Sequence, residues 1–384
     1  MSQFNRPFSQ ESWDTFDCWN CSGNDKTLAE LVLDEVRCQQ CCGVVKDNLI
    51  RCTICQTAWY CCVLCKNNHQ QKHTVFCTRY EQASRRLELS KIPLRHTTLL
   101  TTTMDLSPQR IREVCENSNH VEEYLCASTD LAQLYYDLAY EIRTKETWED
   151  AKFHYQAVMV LHAAFHPYIP IRLTFVLLHL HRHDEAYAFT RSLLKVEAYT
   201  NPEYREGKFE WYQHANGSGR EFTVERNCHW KDIFEDCTKL NELPLTAPYL
   251  LALVIIKLRI ISTYEKESKG REVFKFMLPS DMIANIETNM MGFNGPDVQH
   301  QRRQLKTLLR EIHKKEPMLL YALNECHCFA ETLTDIAELR GKLDQYKNEI
   351  IGISLECGLR SFFRVPGAAV ILNNFLEFGQ HSEE

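Results

Sequence analysis

The chain has 384 residues, of which 44% are hydrophobic, 11% aromatic and 25% charged. Such a length exceeds one compact core of common size and can bury an ample core without cross-links, so a small module plus a larger unit is expected. The formal charge of −7 excludes a dominant basic surface, and neither a nucleic-acid nor a membrane partner is expected.

Residues 1–37 read as an N-terminal extension. The opening MSQFNRPFSQ has no apolar run of the kind a secretory signal carries, so no signal peptide is expected. Eleven of the 18 cysteines fall within the first 77 residues, mostly as C-x2-C pairs. That concentration reads as metal binding in a reducing, intracellular compartment, cytoplasm or nucleus, and not as a disulfide scaffold. Cys18 and Cys21 form one such pair. Either they join Cys38 and Cys41 as a separate ribbon, which strands Cys61 and Cys65, or they stand outside the metal sites as free thiols.

Residues 38–77, CQQCCGVVKDNLIRCTICQTAWYCCVLCKNNHQQKHTVFC, follow a metal-ligand grid: C-x2-C, C-x2-C, C-x3-C and H-x3-C. The grid consists of Cys38, Cys41, Cys52, Cys55, Cys61, Cys65, His73 and Cys77. A segment this short has too few large apolar groups to overcome chain entropy unaided. Structural zinc contributes about 10–16 kcal/mol per site at neutral pH, enough to fold it. Thiolates are soft and compact, and a C-x2-C pair turns both sulfurs toward one ion. Eight ligands make two tetrahedral zinc sites; spacing alone allows sequential or interleaved sharing. Four protein donors per ion leave no position for water, so neither site is expected to be catalytic. Seven thiolates and two dications contribute −3, Lys46, Arg51, Lys66 and Lys72 contribute +4, and Asp47 contributes −1. The loaded segment sums to about zero, which suits protein contact better than phosphate binding. Cys42 and Cys62 adjoin ligands and are expected beside the sites or exposed.

The grid, the Tyr60-Cys61 step and the closing His73–Cys77 spacing resemble the MYND zinc finger. The resemblance implies interleaved sites: Cys38, Cys41, Cys61 and Cys65 on the first zinc, and Cys52, Cys55, His73 and Cys77 on the second. MYND fingers carry serine, glutamine and tryptophan where this chain has Cys62, Lys66 and Gln70, positions that help line a groove for proline-rich peptides. The departures leave the ligands intact and weaken the expectation of peptide reading. Trp59 offers substitute aromatic surface.

Residues 78–108 carry SRRLELSKIPLRHTTLLTTTMDLS. Pro93 and the threonine run argue against a long helix, so a linker is expected, with Ser107-Pro108 opening the next helix. Residues 109–380 then read as an α-helical domain. LAQLYYDLAYEI and WEDAKFHYQAVMVLH, then IPIRLTFVLLHL and DEAYAFTRSLLKV, form two helix–turn–helix units at an offset of 35 residues. Leu138, Ile142, Asp150, Ala151 and Val158 map to Leu173, Leu177, Glu185, Ala186 and Leu193. The units resemble tetratricopeptide-type hairpins, with an ordinary helical bundle the equal alternative. FEWYQ and EFTVER around Asn216-Gly217 read as a β-hairpin insertion over Phe209–Arg226. Helices resume near Trp230, and Tyr249–Tyr264 is expected to be the most buried. Its apolar run Tyr249–Ile261 is too short to span a bilayer and contains Lys257 and Arg259. Gln299–His313 is amphipathic, with a basic face of Arg302, Arg303, Lys306, Arg310, Lys314 and Lys315 expected to face solvent. The later cysteines, Cys115, Cys126, Cys228, Cys237, Cys326, Cys328 and Cys357, are expected as small buried groups.

Three segments, His166–Phe189, Leu245–Ile261 and Phe363–Leu376, resemble a loose set of MYND-finger proteins from microbial eukaryotes to which no activity is assigned. SET-type lysine methyltransferases also hold MYND fingers, but this chain lacks their asparagine-histidine-serine-cysteine motif and is helical where they are strand-rich. His162 and His166 are a candidate metal pair, set aside because Pro167 ends their helix. His179, His181 and His183 are expected at a turn as a solvated cluster. No GxSxG, P-loop or GxGxxG sequence occurs. The expectation is a mostly α, non-enzymatic zinc protein with two Zn2+ ions and protein partners, an adaptor or scaffold. A transcriptional corepressor is the alternative, and a lysine methyltransferase the weaker one.

Overall fold

A computed structural model of the chain describes residues 36–41, 49–96, 119–142, 144–161, 168–194, 224–236, 246–277, 295–327, 336–346 and 348–378. Among them the chain is mostly helical, with one two-stranded sheet of β1 (Ile50–Arg51) and β2 (Trp59–Tyr60). The strands are antiparallel, Ile50 opposite Tyr60 and Arg51 opposite Trp59. The expected insertion at Phe209–Arg226 falls outside the described residues up to 223, and 224–226 are not strand.

Helix α1 spans Val63–His96, so over 78–96 the expected linker is helix. The physical reason is packing. Tyr80 stands edge-on to Tyr135 at 5.9 Å, Leu87 and Ser90 are buried, and Arg86 pairs with Glu123 at 2.7 Å and with Asp130 at 2.5 Å. Ala, Leu, Arg, Glu and Lys between 83 and 91 favour the helix, and Pro93 sits in its last turn, where its cost is confined to one lost bond. Residues 97–118, including the Ser107-Pro108 cap, lie outside the described residues.

Two helical hairpins follow: α2 (Asn119–Ile142) with α3 (Lys145–Leu161), and α4 (Tyr168–His179) with α5 (His183–Leu194). The second helices start 38 residues apart, at Lys145 and His183, so the 35-residue offset aligns the turns only to within about three residues; Ala151 and Ala186, which it does align, are both at 0% exposure. Thr144 caps α3 by accepting the Thr147 N–H. The second turn closes with Arg182 N–H donating to the Leu177 carbonyl at 2.9 Å. His181 takes the left-handed conformation there, φ 57°, an arrangement usually filled by glycine.

Of the three turn histidines expected as a solvated cluster, His179 is instead buried, while His181 and His183 are intermediate. His179 is buried and stacked on Trp148 at 4.1 Å; burial, then nearby arginines, keeps it neutral. His183 accepts from Arg259 Nη1 at 3.0 Å, and burial with Arg259 pushes it down to about 2. His162 and His166 lie outside the described residues.

A short 3-10 turn (Cys228–Trp230) and α6 (Ile233–Asp236) precede α7 (Thr246–Met277). As expected, every residue from Tyr249 to Ile261 is buried. The stretch Thr246–Glu265 is long and apolar enough to cross a membrane by length alone, but 89% of its window is buried in the fold. The chain continues as α8 (Gly295–Lys315), α9 (Pro317–Glu325), α10 (Ile336–Leu343), α11 (Glu349–Phe363) and α12 (Ala368–Phe378), of which α8 and α11 pack on α7. Arg302, Arg303, Lys306, Arg310 and Lys314 are exposed, as expected, and Lys315 is intermediate. A Cβ on Gly358 would stand 2.8 Å from Leu251 Cδ2 and 3.1 Å from Phe175, so glycine lets α4, α7 and α11 meet. Cys228, Cys326 and Cys357 are buried as expected, and Cys126 partly so.

A buried ion network ties four helices. Arg340 holds Asp137 through two bonds, 2.7 and 3.1 Å, and reaches Glu356 at 2.9 Å. Arg172 adds a bond to Glu356 at 3.3 Å. Burial alone would raise the Glu356 carboxyl, but Arg340 and Arg172 outweigh it and hold it below its usual value. A depressed folded-state value contributes stability above the unfolded value that is lost as pH falls through the folded one. Glu356→Gln should therefore cost about 3 kcal/mol at pH 7 by leaving buried guanidinium groups under-paired. In urea unfolding across pH, the gap between variant and wild type should narrow as pH drops below the ordinary glutamate range.

Candidate metal centre

The eight grid residues come together as two sets of four. Cys38, Cys41, Cys61 and Cys65 form one cluster and Cys52, Cys55, His73 and Cys77 the other, each with ligand atoms all within 4.8 Å of one another. In the first, Cys61 Sγ lies 3.6 Å from Cys41 Sγ and 3.4 Å from Cys65 Sγ. In the second, Cys52 and Cys77 sulfurs are 3.5 Å apart, and His73 Nε2 lies 3.5 Å from Cys55 Sγ and 2.9 Å from Cys77 Sγ. Sulfurs bound tetrahedrally at about 2.3 Å stand roughly 3.8 Å apart, so both clusters have room for one ion. The sharing is interleaved, the option that spacing left open.

Local structure explains how the ligands converge. β1 enters the Cys52–Cys55 turn and β2 leaves it, with Cys52 N–H donating to Ala58 O at 2.8 Å. Gln56 takes φ 55° to close the turn. Gln39 N–H donates to Trp59 O at 3.0 Å, fastening the first C-x2-C turn onto β2. Arg51 lies over the Trp59 ring at 4.7 Å. Cys61 ends the strand, and α1 supplies Cys65, then His73 and Cys77. Those last two are four residues apart, on one helical face. Cys38, Cys52, Cys55, Ala58, Tyr60 and Cys77 make a small core of their own.

Crowding governs the electrostatics. Burial opposes ionisation of Cys38, but the backbone N–H groups of Cys41, Cys61 and Gln40 outweigh it and bring the thiol down to about 6. The Cys61 sulfur holds Cys65 up, and burial with Cys52 holds Cys77 up. Each cluster thus pairs a group ready to ionise with neighbours that resist it, and a cation removes the conflict.

Two supporting residues escaped the sequence reading. Thr57 Oγ1 donates to Cys55 Sγ at 3.1 Å. His69 Nδ1 lies 3.1 Å from the Tyr60 hydroxyl, and its ring stacks on His73 at 5.9 Å. His69 precedes His73 by four residues, a helical spacing that becomes readable once α1 is known to start at Val63. Cys62 is exposed as expected, 3.9 Å from Cys61 Sγ. Cys62, just before α1, is followed at four-residue steps by Lys66 and Gln70 on the helix. Cys42, Cys18 and Cys21 lie outside the described residues.

Comparison with protein-family models, curated proteins and solved structures finds no match. The clusters themselves therefore carry the functional argument.

Cys52→Ser should remove one metal equivalent. Limited proteolysis should then cut readily between 36 and 61, while far-ultraviolet circular dichroism of the helical body stays near that of wild type.

Proposed function

We propose that the chain is a zinc-binding protein with a MYND-type finger, acting through protein contact as an intracellular adaptor or scaffold. The observation that carries this reading is the interleaving of two four-ligand clusters, because it ties the beginning, middle and end of the segment together. Zinc is the metal best suited to the ligand sets, since one offers four thiolates and the other three thiolates with an imidazole, both matching its tetrahedral preference. Both sets are complete with protein donors, which supports a structural role and a non-enzymatic protein. Protein contact is supported by the apolar residues around the finger: Ile54, Val63, Leu64 and Val75 are 50%, 61%, 68% and 65% exposed. Their setting, near-neutral once the metals are counted, favours protein over phosphate.

Metal analysis of full-length protein dialysed against a mild chelator should give two zinc ions per chain. One ion, or a cluster that takes up iron preferentially, would overturn the assignment.

The contact reading has a separate test. Val63→Asp with Leu64→Asp should abolish a defined set of co-purifying proteins while leaving zinc content unchanged. Identical partner sets for variant and wild type, or saturable binding of S-adenosylmethionine in calorimetry, would defeat the adaptor reading.

A further inference from the structure

The segment before α7 meets α8 far in sequence from the cysteine clusters. Asp232 caps α6, its Oδ1 accepting the Phe234 N–H at 3.0 Å. Its other oxygen, Oδ2, stands 3.9 Å from His300 Nε2 on α8. Glu235 brings a second carboxylate to the same place, and the ligand atoms of Asp232, Glu235 and His300 all lie within 4.8 Å of one another. A gap of 3.9 Å is too long for a hydrogen bond. Two donors held about 2.1 Å from one ion stand roughly 3–3.5 Å apart, a small side-chain movement away.

Gln301 ties the same two elements together. It is 2% exposed, and its Nε2 donates to Trp230 O at 2.7 Å, which fastens the amide to the segment carrying Asp232. Its Oε1 is buried with no hydrogen-bond partner among the described residues. Among the described residues, the cationic side chain facing Asp232 from α7 is Lys257, and its Nζ is engaged by the carbonyls of His229 and Lys231 at 2.8 Å each. The two carboxylates outnumber it.

We propose that Asp232, Glu235 and His300 form a divalent-cation site that clips the 228–236 segment to α8. An imidazole with two carboxylates selects borderline dications such as Zn2+ over Ca2+ or Mg2+. Glu235 is exposed and the His300 side chain is 43% exposed, so the ion exchanges readily, unlike ions held by the cysteine clusters. Occupancy then reports the availability of free metal and sets how firmly the segment is held.

The test uses full-length protein with its cysteine clusters loaded. Equilibrium dialysis against micromolar Zn2+ should show one ion beyond the chelator-resistant pair, released by a mild chelator. His300→Ala and Glu235→Gln should each weaken that ion at least tenfold and leave the resistant pair in place. Hydrogen–deuterium exchange should show Zn2+ protecting 228–236 in wild type and not in His300→Ala. The proposal is overturned if no additional ion binds or if both variants keep it. It is equally overturned if Cys18→Ser with Cys21→Ser, and not His300→Ala, removes it.

Discussion

Thiols crowded within 4.8 Å of one another and of an imidazole cannot all ionise without a cation among them, and un-ionised they make poor ligands with which to tie the chain together. Everything about the N-terminal part follows from that conflict. Its apolar core consists of a few side chains, several of them the ligands themselves. So small a core adds little hydrophobic stabilisation, whereas ion binding adds on the order of 10 kcal/mol per site. The sheet is correspondingly reduced to two residues per strand, enough to set the register of the Cys52–Cys55 turn and no more.

Helix α1 passes this constraint to the rest of the molecule. Its first half carries three ligands; its second half packs on α2. Rings mark the path: His73 on Phe76 at 6.3 Å, Phe76 on Tyr80 at 6.4 Å, Tyr80 on Tyr135, and Tyr135 stacked on His154 at 4.7 Å. The clustered segment is thereby joined to the helical body through one rod, with no break in the helix between Val63 and His96. Metal that fixes His73 and Cys77 also fixes the turn of α1 from which Tyr80 reaches α2.

The ligands were legible because metal coordination imposes spacing on the sequence directly. Spacing alone left their sharing open, since a C-x2-C pair fits sequential and interleaved sites equally; the resemblance implied the interleaved grouping, and the Gln39–Trp59 bond and the path of α1 bring it about. The helical hairpins were legible from periodicity and from Ala151 and Ala186, which permit close approach. The helix through Ser84–Pro93 was missed because local breakers were weighed without the partner surface of α2. The burial of His179 was missed for the converse reason: HLHRH looks solvated until Trp148 arrives from a distant position to cover its first histidine.

Lys257 and Arg259 show the same logic at the centre of the fold. Lys257 and Arg259 lie within the fully buried stretch of α7, Tyr249–Ile261, and burial penalises both, bringing Lys257 down to about 7 and Arg259 to about 10. What offsets the penalty is the irregular backbone around them. Arg259 Nη1 donates to Leu178 O at 2.7 Å, a carbonyl in the last turn of α4. Lys257 joins the His229 and Lys231 carbonyls and stands 5.5 Å over the Tyr187 ring. Helix ends and short 3-10 turns leave carbonyls that water cannot reach once α7 is in place. Long cationic side chains can reach those carbonyls from within a helix whose own backbone is already bonded. The cations in α7 are therefore the means by which an otherwise apolar helix pins two irregular segments, and one of those segments carries Asp232.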